Sequence, residues 1–179
     1  INNLSWSDIL LIVSSSILDK TFNDIGNPIH IVSGDDLSND ATQSIGETLD
    51  DLLGVASADY GAAVGQPIIR GMSGSRVKIL ENGIVNRDVS GLGADHFNDI
   101  DLSNAQQIEI VRGPSSLLYA NGTVGGIINV VDNSIPNYEV ERVVKVGVES
   151  QSVNDGDTQS LSFQNNFDNA NVTFSYKNT

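Results

Sequence analysis

The hydrophobic positions of the chain recur at strand spacing in most places and at helical spacing in one. The segment PIHIVSG, residues 28–34, alternates isoleucine with polar residues, which predicts a short strand. The segment SIGETLDDLLG, residues 44–54, has helical spacing instead. Ser44 and Glu47 form a capping box and Gly54 is a natural stop, so we predict a helix. Its apolar face would consist of Ile45, Leu49, Leu52 and Leu53.

Three further strands are predicted in PIIRGMSGSRVKILENGIVN, residues 67–86. The apolar pair Ile68-Ile69 is followed by a glycine-rich break and then by the run VKIL. Asn82-Gly83 separates that run from Ile84-Val85, and Asn-Gly between apolar runs is a strong signal for a β-hairpin. Residues 86–101 then form a long polar loop, and loops of this length are usually functional or disordered.

The pattern changes after Pro136, where segments with one polar and one apolar-aromatic face alternate with short polar turns. Val144, Val146 and Val148 share one face of the first segment. Repeated strands of this kind are typical of a transmembrane barrel, although the signal of each strand is weak. A soluble antiparallel meander has the same pattern, so the pattern alone leaves both structures open.

Composition excludes several classes of protein. The formal charge is −14, from 23 acidic and 9 basic residues, which disfavours a nucleic-acid partner. The chain has no cysteine, and therefore neither disulfides nor a cysteine zinc site. The apolar run Ile9–Val13 is too short to span a bilayer. The two histidines, His30 and His96, lie in a strand and a loop, and no catalytic spacing involves them, so we do not expect an enzyme.

Two blocks carry a family resemblance: PIIRGMSGSRVKILENGI and, later, IEIVRGPSSLLYANGTVGGIINVV. In this order they resemble the signature of the plug domain of TonB-dependent outer-membrane receptors, over about residues 8–136. Ala120 departs from the family pattern, in which a glycine follows the tyrosine. That turn must therefore avoid a positive φ at Ala120 or place it at Asn121-Gly122.

The resemblance implies an α+β plug domain with a small mixed sheet and short helices, followed by the first antiparallel strands of a transmembrane β-barrel. Such a plug sits inside a barrel of about 22 strands. We therefore predict a leader in residues 1–18, a plug in 19–136 and the first barrel strands in 137–179. The receptor would lie in the bacterial outer membrane and import a scarce nutrient, such as a metal ion or a metal chelate, with energy from TonB.

The resemblance also assigns roles to charged residues. We predict that the plug contacts the barrel wall through Arg70, Arg76, Glu109 and Arg112, because an arginine fork suits a buried carboxylate. Two alternatives for Arg112 remain open from the sequence: a pair with Glu109, or simple solvation.

The N-terminal segment SDILLIVSSS resembles the TonB box, which the energy transducer captures as an added strand. Its TonB-binding residues would be Ile9, Leu10, Leu11, Ile12 and Val13. A buried first strand of the plug is the alternative for the same run.

Loop 86–101 would face the cargo, and its Asp95-His96 pair resembles the zinc-uptake branch of these receptors. Carboxylate and imidazole suit Zn²⁺, but two ligands leave its tetrahedron incomplete. A solvated histidine in an acidic loop is the simpler interpretation. No cofactor is predicted; Zn²⁺ would be cargo. A secreted α+β binding or adhesion module with a β-rich tail is the alternative function.

Overall fold

The computed structural model describes most of the chain after residue 28, and the chain divides into two compact units, Ile1–Asp132 and Asn133–Thr179. The described residues are 29–34, 36–37, 44–61, 64–87, 89–91, 93, 95–96, 98, 100–113, 116–117, 119–132, 141–152, 156–167 and 170–178. The predicted TonB-binding run Ile9–Val13 lies outside them.

A five-stranded mixed sheet organises the first unit, with strand order β1-β6-β7-β4-β5. β7 pairs in parallel with β4, and the other neighbours pair antiparallel. The mixed sheet predicted from the family resemblance is therefore confirmed. The strands are β1 (Ile29–Ser33), β4 (Val77–Glu81), β5 (Ile84–Val85), β6 (Ala105–Arg112) and β7 (Gly126–Asp132).

The two central strands, β6 and β7, carry apolar side chains on both faces because both faces of the sheet are covered. Ile110 and Ile128 are opposite each other on one face and belong to the larger core cluster. Val111 and Ile127 belong to a smaller cluster on the other face. All four side chains are fully buried, so this strand pair is the centre of the unit.

The predicted Asn-Gly hairpin is confirmed between β4 and β5. Asn82 and Gly83 both have positive φ, at 50° and 81°, as a two-residue type I′ turn requires. The Asn82 side chain donates to the Asp132 carboxylate at 2.9 Å and accepts from the Asp132 N–H at 3.1 Å. The turn is thereby fixed to the end of β7.

The predicted helix exists but is much shorter than its sequence pattern. Helix α1 spans Ile45–Thr48, and the Ser44 side chain caps it by accepting from the Glu47 N–H, as predicted. Separate turns follow up to Gly54. Leu53 is 90% exposed, so the prediction that it belongs to the apolar face of the helix is wrong. A single turn is weak on its own, and two aspartates after it oppose the helix dipole.

A two-stranded hairpin, β2 (Val55–Asp59) and β3 (Gly65–Ile69), packs against α1. The packing is close because glycines face each other. A Cβ on Gly46 would lie 2.5 Å from the Gly65 carbonyl oxygen. The short 3₁₀ helices Gly74–Arg76, Val89–Gly91 and Leu102–Asn104 complete the described elements of the unit.

Two glycines near the start of β7 allow a close backbone approach and a sharp turn. A Cβ on Gly126 would lie 2.7 Å from the Val111 carbonyl oxygen, closer than real contacts permit. Gly122 has φ +81°, whereas Ala120 is not among the described residues with positive φ. The prediction that Gly122 takes over the strained position in this turn is therefore confirmed.

The second unit is an antiparallel sheet of the three predicted strands, in the order β10-β9-β8. The strands are β8 (Val143–Gln151), β9 (Gly156–Phe167) and β10 (Ala170–Asn178). Val144, Phe163 and Phe174 lie in register across the sheet, so the apolar positions share one face. That face is largely uncovered: Val148 is 80% exposed and Phe174 is 54% exposed.

Within the described residues, no helix has the length and apolar character needed to cross a membrane.

Candidate functional site

Arg70 occupies a strained turn at the end of β3. Ile69 and Met72 exchange two backbone hydrogen bonds, of 2.9 and 3.0 Å, around Arg70 and Gly71. Both central residues have positive φ, at 52° and 76°. For arginine this conformation costs on the order of 1 kcal/mol. Backbone strain of this kind concentrates at functional sites, so the exposed Arg70 side chain is a candidate functional residue.

Arg112 ends β6, directly before Gly113, which has φ +81°. Its Nε atom is buried and has no hydrogen-bond partner among the described residues. Burial, and to a lesser extent the charge of Arg70, lower the pKa of the Arg112 guanidinium from its ordinary value. The group stays charged at pH 7, so this buried donor calls for an acceptor.

His30 on β1 adds a third basic group to the two arginines. It lies opposite Ile110, two residues before Arg112 on the neighbouring strand. Burial and then the charge of Arg112 lower the pKa of its imidazole from the ordinary value of 6.5. We call Arg70, Arg112 and His30 the basic cluster. In a chain of charge −14, such a cluster is suited to carboxylates supplied by a partner.

Glu109 was predicted to contact the barrel wall, but the structure places its carboxylate inside the sheet. It is fully buried and accepts hydrogen bonds from Gln107 Nε2 at 2.6 Å and Asn129 Nδ2 at 3.0 Å. Successive side chains of a strand alternate, so Glu109 and Arg112 point to opposite faces of β6. Since a fully buried carboxylate cannot reach a surrounding wall, the prediction for Glu109 is wrong.

Arg76 is exposed at the end of the 3₁₀ helix before β4, and its carbonyl accepts from the Gly125 N–H at 3.1 Å. A role for Arg76 at the wall stays a prediction.

Gln66 on β3 holds the long loop after β5, and sequence reasoning did not find it. Its side chain is only 3% exposed. Its Nε2 donates to the carbonyls of Ser90 at 2.7 Å and Gly93 at 2.8 Å, with the His96 carbonyl at 3.4 Å. A polar residue at a buried position of an apolar strand was the available signal. One buried amide therefore fixes the course of the loop.

Asp95 and His96 are exposed, in a turn that the His96 N–H closes by donating to the Gly93 carbonyl at 3.3 Å. A Cβ on Gly93 would meet the Asp95 carboxylate at 2.5 Å and the His96 ring at 3.8 Å. The turn thus places both side chains beside Gly93. The described residues contain no group of three potential metal ligands, so the metal site stays a prediction.

The chain is similar to known transporters and receptors. The chain is 27% identical over 143 residues to the vitamin B12 transporter BtuB of Photobacterium profundum, covering 79% of this chain and 23% of that protein. The copper transporter OprC has the same fold, with a TM-score of 0.66 and 20% identity over 85% of this chain and 24% of its own. The ferric yersiniabactin uptake receptor FyuA from Yersinia pestis gives a TM-score of 0.62 and 19% identity, over 83% of this chain and 24% of its own.

The chain thus spans about a quarter of the length of these relatives, which are transporters and receptors rather than enzymes. Residues 21–127 match the family described as the TonB-dependent Receptor Plug Domain. This match covers more than half of the chain and includes the basic cluster and the loop that Gln66 holds. The chain belongs to the TonB-dependent receptor plug domain family.

Proposed function

We propose that this chain is the gated plug, with the first barrel strands, of a bacterial outer-membrane receptor. The receptor binds a scarce nutrient and imports it with energy transmitted by TonB. The family match and relatives named for vitamin B12, copper and ferric yersiniabactin support a metal ion or a metal chelate as cargo. Residues 1–18 would be the leader that faces the periplasm, 19–136 the plug and 137–179 the first strands of the barrel.

The observation that carries this proposal is the basic cluster. Arg112 has a buried Nε without a hydrogen-bond partner in the described part of the chain, and Arg70 lies close enough to lower the pKa of Arg112 further. Two neighbouring guanidinium groups repel each other unless carboxylates lie between them. A barrel wall around the plug would supply these carboxylates, with Arg70, Arg112 and the exposed Arg76 as its contacts. The bidentate geometry of arginine would fix the plug in one orientation.

The second unit supports the same proposal. Its apolar face exposes Val146, Val148 and Phe174 at 73%, 80% and 54%. An uncovered apolar face of this kind marks a surface that contacts lipid or a partner. Strands with lipid on one side and a polar lumen on the other show this alternation.

Transport in cells tests the proposal. Bacteria that produce the protein from its complete gene, or a variant without residues 8–15, would be supplied with cyanocobalamin, haem, copper, zinc or labelled ferric chelates. We expect one of these to be imported only when TonB is present. The deletion should abolish import while surface binding persists. Import at the parent rate by the deletion variant would remove the coupling role of the leader.

A further inference from the structure

The turn between β4 and β5 contains a chemically reactive pair of residues. Gly83 follows Asn82, and a backbone nitrogen attacks the preceding asparagine side chain most readily when it belongs to glycine, because glycine has no Cβ to hinder the approach. Both residues are exposed, so water reaches the turn. The pair is therefore a candidate for spontaneous modification of the chain by itself.

The reaction of such a pair needs no reagent other than water. The Gly83 backbone nitrogen bonds to Cγ of Asn82 while the bond from Cγ to Nδ2 breaks. Nδ2 takes up the proton that the backbone nitrogen loses and leaves as ammonia, and a cyclic succinimide remains. Water then adds to one of the two ring carbonyls and opens the ring to aspartate or isoaspartate. Either product adds one negative charge at position 82.

The fold restrains the groups that would react, and all the partners that restrain them lie on β7. The Asn82 side chain donates from Nδ2 to the Asp132 carboxylate at 2.9 Å and accepts at Oδ1 from the Asp132 N–H at 3.1 Å. The attacking group, the Gly83 N–H, donates to Asn129 Oδ1 at 2.8 Å. The Asn82 N–H donates to the Val130 carbonyl at 2.9 Å. Attack on Cγ therefore requires the turn to separate from β7.

The products cannot restore these contacts. At pH 7 an aspartate side chain has no proton to donate, so its carboxylate would face that of Asp132 where a hydrogen bond was. Two carboxylates at that separation repel each other. Isoaspartate adds one carbon to the main chain of the turn and changes its register. Once position 82 has reacted, return of the turn to β7 is therefore disfavoured.

We propose that Asn82 is a self-modification site that β7 keeps latent. It converts to aspartate or isoaspartate only when the β4–β5 turn separates from β7, and the conversion then hinders the turn from returning. Local openings of this part of the sheet would thereby leave a permanent chemical mark. The proposal goes beyond the receptor function and does not depend on the nutrient that is imported.

Mass spectrometry of residues 79–87 measures the conversion, because trypsin cuts after Lys78 and Arg87. The protein produced from its complete gene is incubated in mildly alkaline buffer beside a synthetic peptide of the same residues. We expect position 82 to convert about 100-fold more slowly in the protein, because several hydrogen bonds must break together. Asp132→Ala removes the carboxylate acceptor and should raise the rate in the protein about tenfold. Asp50→Ala changes the net charge equally and should leave the rate unchanged.

Amide hydrogen exchange of the same segment tests the effect of the product. Asn82→Asp should accelerate exchange of the Gly83 N–H about tenfold, because the two carboxylates hold the turn away from Asn129. Adding Asp132→Asn to that variant should restore the parent exchange rate, because an amide again faces a carboxylate. This measurement does not require Asp132→Ala to fold.

The proposal is overturned if position 82 converts as fast in the protein as in the peptide, or if Asp132→Ala folds and converts at the parent rate. It is also overturned if Asn82→Asp exchanges as the parent does. Failure of Asp132→Asn to restore the exchange rate would overturn it as well, because charge repulsion would then not be what holds the turn open.

Discussion

Replacing Gln66 by methionine should release the loop after β5 without changing the side-chain volume greatly. The parent amide makes two short hydrogen bonds, of 2.7 and 2.8 Å, to the Ser90 and Gly93 carbonyls. Each such bond contributes about 1 kcal/mol, and the 3.4 Å contact to the His96 carbonyl adds little. We therefore expect the free energy of local opening to fall by about 2 kcal/mol, which raises the open population about 30-fold.

Trypsin cleavage after Arg87 measures this opening, because Arg87 lies in the loop. Cleavage of a transiently open segment follows its equilibrium population when closing is fast. We expect Gln66→Met to be cut about 30 times faster than the parent in the protein from its complete gene. Cleavage after Arg142 in the second unit is the internal control and should not change.

Gln66→Glu distinguishes hydrogen bonding from shape. Glutamate has nearly the same size as glutamine, but as a carboxylate it has no proton to donate and it repels the carbonyl oxygens of the loop. We expect Gln66→Glu to open the loop at pH 7 at least as much as Gln66→Met. A parent-like cleavage rate for Gln66→Glu would refute the reasoning, because it would mean that side-chain volume alone holds the loop.

Two further predictions concern the basic cluster. In the complete receptor, Arg112→Ala should lower the free energy of unfolding of the plug by roughly 3 kcal/mol, because it leaves wall carboxylates buried without their partner. An equal loss in the isolated 179-residue chain would instead place the partner of Arg112 inside the plug. The lowered pKa of His30 means that the unfolded chain binds a proton first as the pH falls below 6.5, so folding stability should decrease with pH below that value. His30→Gln should remove this decrease while His96→Gln retains it, and unchanged pH dependence in His30→Gln would contradict the assignment.

The strands and the hairpin could be predicted because their signals are local. Alternation over a few residues identified β1 and the three strands of the second unit, and Asn82-Gly83 identified the β4–β5 turn. The length of α1 could not be predicted. Its pattern extends to Leu53, but only one turn is helical because the following residues instead turn towards β2.

The contacts of the candidate site depend on residues that are distant in sequence. Gln66 contacts carbonyls 24 to 30 residues away, so its position in an apolar strand indicates a special role but does not identify its partners. The family resemblance predicted that Glu109 contacts the barrel wall, yet Gln107 and Asn129 supply the donors that allow its burial. The positive φ of Arg70 could not be predicted for a different reason. This conformation favours glycine, and only the surrounding structure holds an arginine in it.

Capture of the leader by TonB tests the central claim most directly, and it needs no knowledge of the cargo. The chain has no cysteine, so single cysteines at positions 9–13 can each be cross-linked to a cysteine on the recognition strand of the TonB periplasmic domain. A strand added to TonB presents alternate side chains to its partner, so we predict cross-links that alternate along Ile9–Val13, and loss of TonB binding when residues 8–15 are deleted. TonB binding of equal affinity with and without residues 8–15 would contradict the account.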